Sequence, residues 1–109
     1  MIVQEIDRFL GRVARLRDEI TRNKEWMRDY ESVRDGYPEW VTRDGERIKV
    51  KDITDEHLDR LVPFLERRDP QTSWIKVFKD EKTYRDVRKK TEVMRDELSE
   101  MYDVMYECL

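Results

Sequence analysis

Cysteine is almost missing from this chain. Cys108, next to the last residue, is the single one, so no disulfide can close within one copy, and a reducing, intracellular setting is expected. Histidine is as scarce, with His57 alone. Nucleophilic catalysis therefore fails on inventory: beside that one His and one tail Cys stand Ser32, Ser73 and Ser99, and Ser32 and Ser99 fall inside expected long helices. Three isolated glycines build no phosphate-cradling loop and no dinucleotide motif. No apolar run reaches the ~18 residues of a membrane helix, and no basic-then-apolar leader opens the chain, so neither a span nor secretion is expected. An enzyme is not expected, nor a cofactor.

What the chain has in excess is charge. Charged residues make up 45% of it, against roughly a quarter in ordinary domains. Enough periodic apolar residues remain to exclude disorder, so long helices sharing a thin seam are predicted. At 109 residues one domain is expected, over 1–109. A thin seam leaves a lone copy marginal, which favours a homo-oligomer. The net charge of −3 is uneven: residues 1–35 carry eight charges of each sign, 36–79 nine of each, and 80–109 six cations against nine anions. That profile suits neither nucleic-acid binding nor a uniform mimic of nucleic acid.

The predicted fold is mainly α with a small β-hairpin (α+β): two long antiparallel helices, over 1–35 and 71–109, flank a hairpin-plus-helix unit over 36–70. In the first helix Ile2, Ile6, Phe9, Val13, Leu16, Ile20, Asn23, Met27 and Tyr30 step by four and three, a heptad seam with one polar break at Asn23. Asp35-Gly36-Tyr37-Pro38 ends it. Near the C-terminus Val87, Thr91, Met94, Leu98, Met101, Met105 and Cys108 repeat the spacing. Opposed charges favour the antiparallel pairing: Arg8, Arg12, Arg15 and Arg17 face Asp96, Glu97, Glu100, Asp103 and Glu107, while Asp29 and Glu31 meet Lys82, Arg85 and Arg88.

Between the helices, Trp40–Thr42 and Arg47–Lys51 alternate around Arg43-Asp44-Gly45, the mark of a tight hairpin. Thr54 then caps a helix with Asp55 and Glu56 in its first turn, and Pro63 predicts a kink near Asp59–Val62. Ser73–Phe78 is ambiguous between strand and helix; a helical turn capped by Ser73 is favoured. Toward the termini the apolar stripe widens through Val3 and Leu10 on one helix and Tyr102, Val104, Tyr106 and Leu109 on the other. A two-helix seam does not need that width, so Ile2, Ile6, Leu10, Tyr102, Met105 and Leu109 are assigned to an oligomer interface.

Binding chemistry concentrates in the hairpin unit. Trp40 and Trp74 either plug a small core or serve as stacking platforms for a base. In the second case Thr42, Arg43, Arg47 and Lys49 supply polar and phosphate contacts, with Lys51 and Lys76 nearby. His57 either bonds the hairpin or touches the same ligand. Asp52, Asp55, Glu56 and Asp59 could hold a hard cation, but such clusters are commonly the solvated first turn of a helix, and no metal site is assigned. The candidate ligand-binding set is thus Trp40, Thr42, Arg43, Arg47, Lys49, His57 and Trp74.

The block Trp40-x-Thr42-x-Asp44-Gly45-x-x-Ile48, followed by Asp52-Ile53-Thr54-Asp55-Glu56-His57-Leu58 and Leu65-Glu66-Arg67, resembles a recurrent segment of small tailed-phage and prophage proteins. It covers about a quarter of the chain, and Pro63 departs from the pattern. The resemblance implies a phage origin, action in the host cytoplasm and, for a small protein without enzyme apparatus, neutralisation of host defences. Its partner would then be either a cyclic-nucleotide-type immune signal, sequestered without reaction, or a protein such as a CRISPR or other defence effector. A coiled-coil accessory role in phage replication or morphogenesis is the third reading.

Overall fold

The computed structural model describes residues 2–107; Cys108 and Leu109, placed above on the seam and in the oligomer interface, lie outside them. Helix α1 spans Val3–Asp35, strands β1 and β2 span Trp40–Val41 and Arg47–Ile48, α2 spans Asp55–Arg68 and α3 spans Trp74–Glu107. The protein is mostly helical with one two-stranded antiparallel sheet, Trp40 pairing with Ile48 and Val41 with Arg47. Two compact units emerge, one built from the chain up to Arg28 and from Val87 onward, the other from Asp29–Asp86.

In the first unit the heptad seam is formed from Phe9 onward, while Ile2 and Ile6, placed on it from the sequence, are exposed. Val13, Leu16, Ile20 and Met101 are buried, with Phe9, Met94, Leu98 and Tyr102 packed around them. Arg12 pairs with Glu97, and Asn23 Nδ2 donates to Thr91 Oγ1 at 3.1 Å. Partner numbers rise on α1 as they fall on α3, so the segments run antiparallel. The polar break at Asn23 is therefore a pair: Thr91, itself a seam residue, supplies the acceptor and passes its own proton to the Val87 carbonyl at 2.7 Å. The pairing fixes the register of the two seams, because a one-heptad slip would strand the amide among apolar neighbours.

The second unit carries the larger core. Val50, Ile53, Leu58, Leu61, Val62, Leu65 and Phe78 are buried together, so the hairpin and α2 close over the start of α3. The hairpin turn uses Gly45 at φ +84°, a left-handed conformation that a side chain resists. Its closure is local: the Thr42 hydroxyl accepts from Glu46 N–H at 3.1 Å, and the Thr42 N–H donates to the Glu46 carbonyl at 2.8 Å. Thr54 caps α2 by accepting from His57 N–H at 3.2 Å. Pro63 does not end that helix, which runs on to Arg68 with Leu65 buried beyond the proline; core burial on both sides of Pro63 offsets one lost backbone bond.

The stretch left between strand and helix is helical, the favoured reading, and belongs to the continuous α3 from Trp74. Three expectations need correction. The hydroxyl that accepts from the Trp74 N–H is that of Thr72, at 3.4 Å, and not that of Ser73. Lys82 pairs with Asp59 of α2 at 3.0 Å. Arg85 turns to Asp55 and Glu81. The expected matches of Lys82 and Arg85 with Asp29 and Glu31 overlooked that α2 brings its own carboxylates to this face of α3. Glu31 accepts instead from the Tyr84 hydroxyl.

Candidate functional site

Spacing creates the polar centre of the second unit. Tyr30 and Arg34 lie four residues apart on α1, and Glu81 and Arg85 four apart on α3, so each pair projects from one helix face. Glu81 is fully buried. Its carboxylate accepts from the Tyr30 hydroxyl at 2.9 Å, from Arg85 Nε at 2.8 Å and from Arg34 at 3.3 Å. Arg85 continues to Asp55 at 2.7 Å and to the carbonyls of Val50 and Lys51 at 3.3 and 3.4 Å. One arginine thus ties α3 to the start of α2 and to the turn after the hairpin. Two guanidiniums thus meet the one fully buried carboxylate, and the exposed Asp55 takes up the second cation.

The titration behaviour follows from that geometry. Burial first, then the charge of Glu81 and the hydrogen bond donated to it, push the Tyr30 phenol far above its usual 10.0. Burial and then the charge of Asp80 push Tyr37 upward as well. Burial alone would lower Arg85, but the bonds to Asp55 and Glu81 outweigh it and its shift is upward. All three groups stay in their neutral-pH forms: two phenols and one cation.

Arg34 links this centre to an open pocket. Its guanidinium sits over the Tyr84 ring at 4.5 Å and reaches Glu81 through one terminal nitrogen. Its Nε–H is buried with no partner among the described residues. A pocket of ≈ 450 Å³ lies beside it, lined by Arg34, Asp35, Tyr37, Glu39, Lys49, Val50 and Lys51. Its lining thus holds three cations, two carboxylates and one phenol ring, an excess of one positive charge. Neither Arg34 nor Tyr37 was singled out in the sequence. The four-residue spacing of Tyr30 and Arg34 was the available signal, but a long charged helix offers many such pairs.

The residues assigned to a ligand from the sequence are distributed over three places. Trp40 and Trp74 meet each other edge to face at 5.3 Å, and Phe78 stacks on Trp74 at 5.3 Å and abuts Trp40 at 5.2 Å. Both indoles are half-buried against the core. Of the two readings these rings allowed, the contacts support packing. The Thr42 hydroxyl is engaged in the hairpin turn. Arg43 and Arg47 are exposed on the hairpin. Lys49 alone of the set borders the pocket beside Arg34. His57 is half-buried on α2 and borders a different feature, a shallow groove of ≈ 730 Å³ with Arg60, Phe64 and Arg67. In the acidic turn considered for a cation, Asp55 and Asp59 are held by Arg85 and Lys82.

Comparison with known proteins returned no matching family model, no similar curated protein and no similar solved structure. Among the described residues no helix is long and apolar enough to cross a membrane.

Proposed function

We propose that this protein is a non-enzymatic binding module that takes a small phosphate-bearing ligand of the nucleotide class, and that it serves a phage in the host cytoplasm by sequestering an immune signal of that chemistry. The observation that carries the reading is the pocket in which Arg34, Lys49 and Lys51 outnumber Asp35 and Glu39 beside the Tyr37 ring. Its ≈ 450 Å³ lies within the usual ~300–1,000 Å³ of ligand sites. Lysines and an arginine meet phosphate oxygens by charge-assisted bonds, and the arginine is held in place by Glu81 before any ligand arrives. The Tyr37 ring offers an edge or face to a base. Compared with the sequence-based assignment, the ligand moves from the tryptophans to the pocket beside Arg34, keeping Lys49 and exchanging the indoles for Arg34 and Tyr37.

A panel of cyclic di- and trinucleotides, tested by isothermal calorimetry, decides the matter. Tight binding by the wild-type chain is expected, with Lys49→Ala/Lys51→Ala weakened by at least tenfold at unchanged melting temperature. Absence of heat across the panel overturns the reading, and so does recovery of a chemically altered nucleotide. The competing reading, a protein-binding inhibitor of a defence effector, is favoured by the α2 groove, where Phe64 stands 45% exposed between Arg60 and Arg67. Capture of one effector by the wild-type chain and its loss in Phe64→Ala would select it.

A further inference from the structure

Two stretches of chain line the pocket beside Arg34. The end of α1 and the link after it contribute Arg34, Asp35, Tyr37 and Glu39, and the segment after β2 contributes Lys49 and Lys51. Arg34 is already held by Glu81. Asp35, Glu39, Lys49 and Lys51 are exposed, and among the described residues no ion pair or hydrogen bond engages their side chains. Unlike charges share the hollow without meeting. The backbone on both sides is tied down: the Tyr37 N–H donates to the Arg34 carbonyl at 3.1 Å, and Arg85 holds the carbonyls of Val50 and Lys51. Asp35 is moreover the last residue of α1, where the helix dipole disfavours an anion. No ion pair offsets that cost among the described residues.

A phosphate alone would satisfy the lysines and set more negative charge before the two carboxylates. A ligand that suits both stretches carries hydrogen-bond donors beside its phosphate. Ionised Asp and Glu only accept, and the two oxygens of a carboxylate fit two parallel N–H groups. Among the nucleobases guanine alone sets two such donors side by side, N1–H and the N2 amino group. Adenine and cytosine place a ring-nitrogen acceptor next to their amino group, and uracil flanks its N–H with two carbonyls. Resting on the nucleotide reading above, we infer that the base bound here is guanine, its donor edge on Asp35 or Glu39, its face on Tyr37, and its phosphate on Lys49, Lys51 and Arg34. The Tyr37 ring, half-buried, is set for this by its edge-to-face contact with Tyr30 at 6.4 Å. Adenine in the same place turns a nitrogen lone pair toward a carboxylate, and such a mismatch is what makes a polar site selective.

Calorimetry with cyclic diguanylate and cyclic diadenylate tests the choice of base. The wild-type chain is expected to bind the guanine compound more tightly by roughly tenfold or more, the discrimination of one good bidentate pair. Asp35→Asn/Glu39→Gln keeps the shape of both side chains and removes two negative charges from the lining. Its expected effects have opposite signs: cyclic diguanylate binds more weakly than to the wild type, and cyclic diadenylate more tightly. A general disturbance of the pocket would weaken both. The melting temperature of the double variant is expected at or above that of the wild type, because an anion leaves the end of α1. Equal affinity of the wild type for the two compounds, a double variant that keeps the guanine preference, or one that melts well below the wild type would each overturn the inference. The two readings fail differently. If neither compound nor any other nucleotide of the panel binds, the nucleotide reading falls and guanine with it; if both bind alike, only guanine falls.

Discussion

The Tyr30 hydroxyl donates to Glu81 Oε1 at 2.9 Å across 51 residues of sequence, joining the last turns of α1 to the first turns of α3. The pair matters because Glu81 is fully buried. A carboxylate withdrawn from water must be matched by donors on every side, and here Tyr30, Arg34 and Arg85 supply them.

Removing the carboxylate charge leaves two arginines short of a partner. Glu81→Gln is expected to destabilise the protein by about 3–5 kcal/mol, the cost of breaking a buried ion pair from one side. Tyr30→Phe should cost less, about 1.5–3 kcal/mol, since it deletes one hydrogen bond to a charged group while the guanidiniums remain. Urea denaturation at neutral pH measures both. Equal effects would mean that the arginines do not hold Glu81 as described.

Alkaline stability follows from the same pair. Tyr30 titrates above its usual 10.0 in the folded chain, so the folded state retains a proton that the unfolded state gives up. Its contribution is fully present below pH 10 and is lost progressively as the pH rises beyond it. Circular dichroism between pH 8 and 12 should show unfolding that sets in above pH 10, with a shallower pH slope in Tyr30→Phe. Identical slopes would remove Tyr30 from the account.

Phe78, Trp40 and Trp74 form one aromatic cluster, and Phe78 is fully buried within it. Phe78→Ala should therefore cost about 3–5 kcal/mol. Trp40→Ala, half-buried, belongs at the lower end of that range and should lower the melting temperature visibly. A Trp40→Ala protein as stable as the wild type would return the indole to the list of free surfaces available to a ligand.

The long helices, their seams and the hairpin were legible from residue spacing, because heptad periodicity and an Asp-Gly turn are local signals that survive without knowledge of neighbours. Asn23 could be seen as a break in the seam; that Thr91 answers it at 3.1 Å required the register between α1 and α3. The candidate site was legible only in part, through Lys49.

Sequence by itself determined which faces are apolar, where the helices stop at Gly36 and restart at Thr54, and that the chain offers one His and one Cys for chemistry. Tertiary structure alone decided the partners of its charges. With 45% of the residues charged, almost every cation has a carboxylate within one helical turn, and spacing cannot rank them. Burial ranks them: Glu81, Arg85 and Arg34 lose water when the hairpin, α2 and α3 close together, and only then do their contacts outweigh those of the exposed pairs, which solvent screens. The same closure turned Trp40 and Trp74 toward Phe78 and left Arg34, Lys49 and Lys51 around an open pocket.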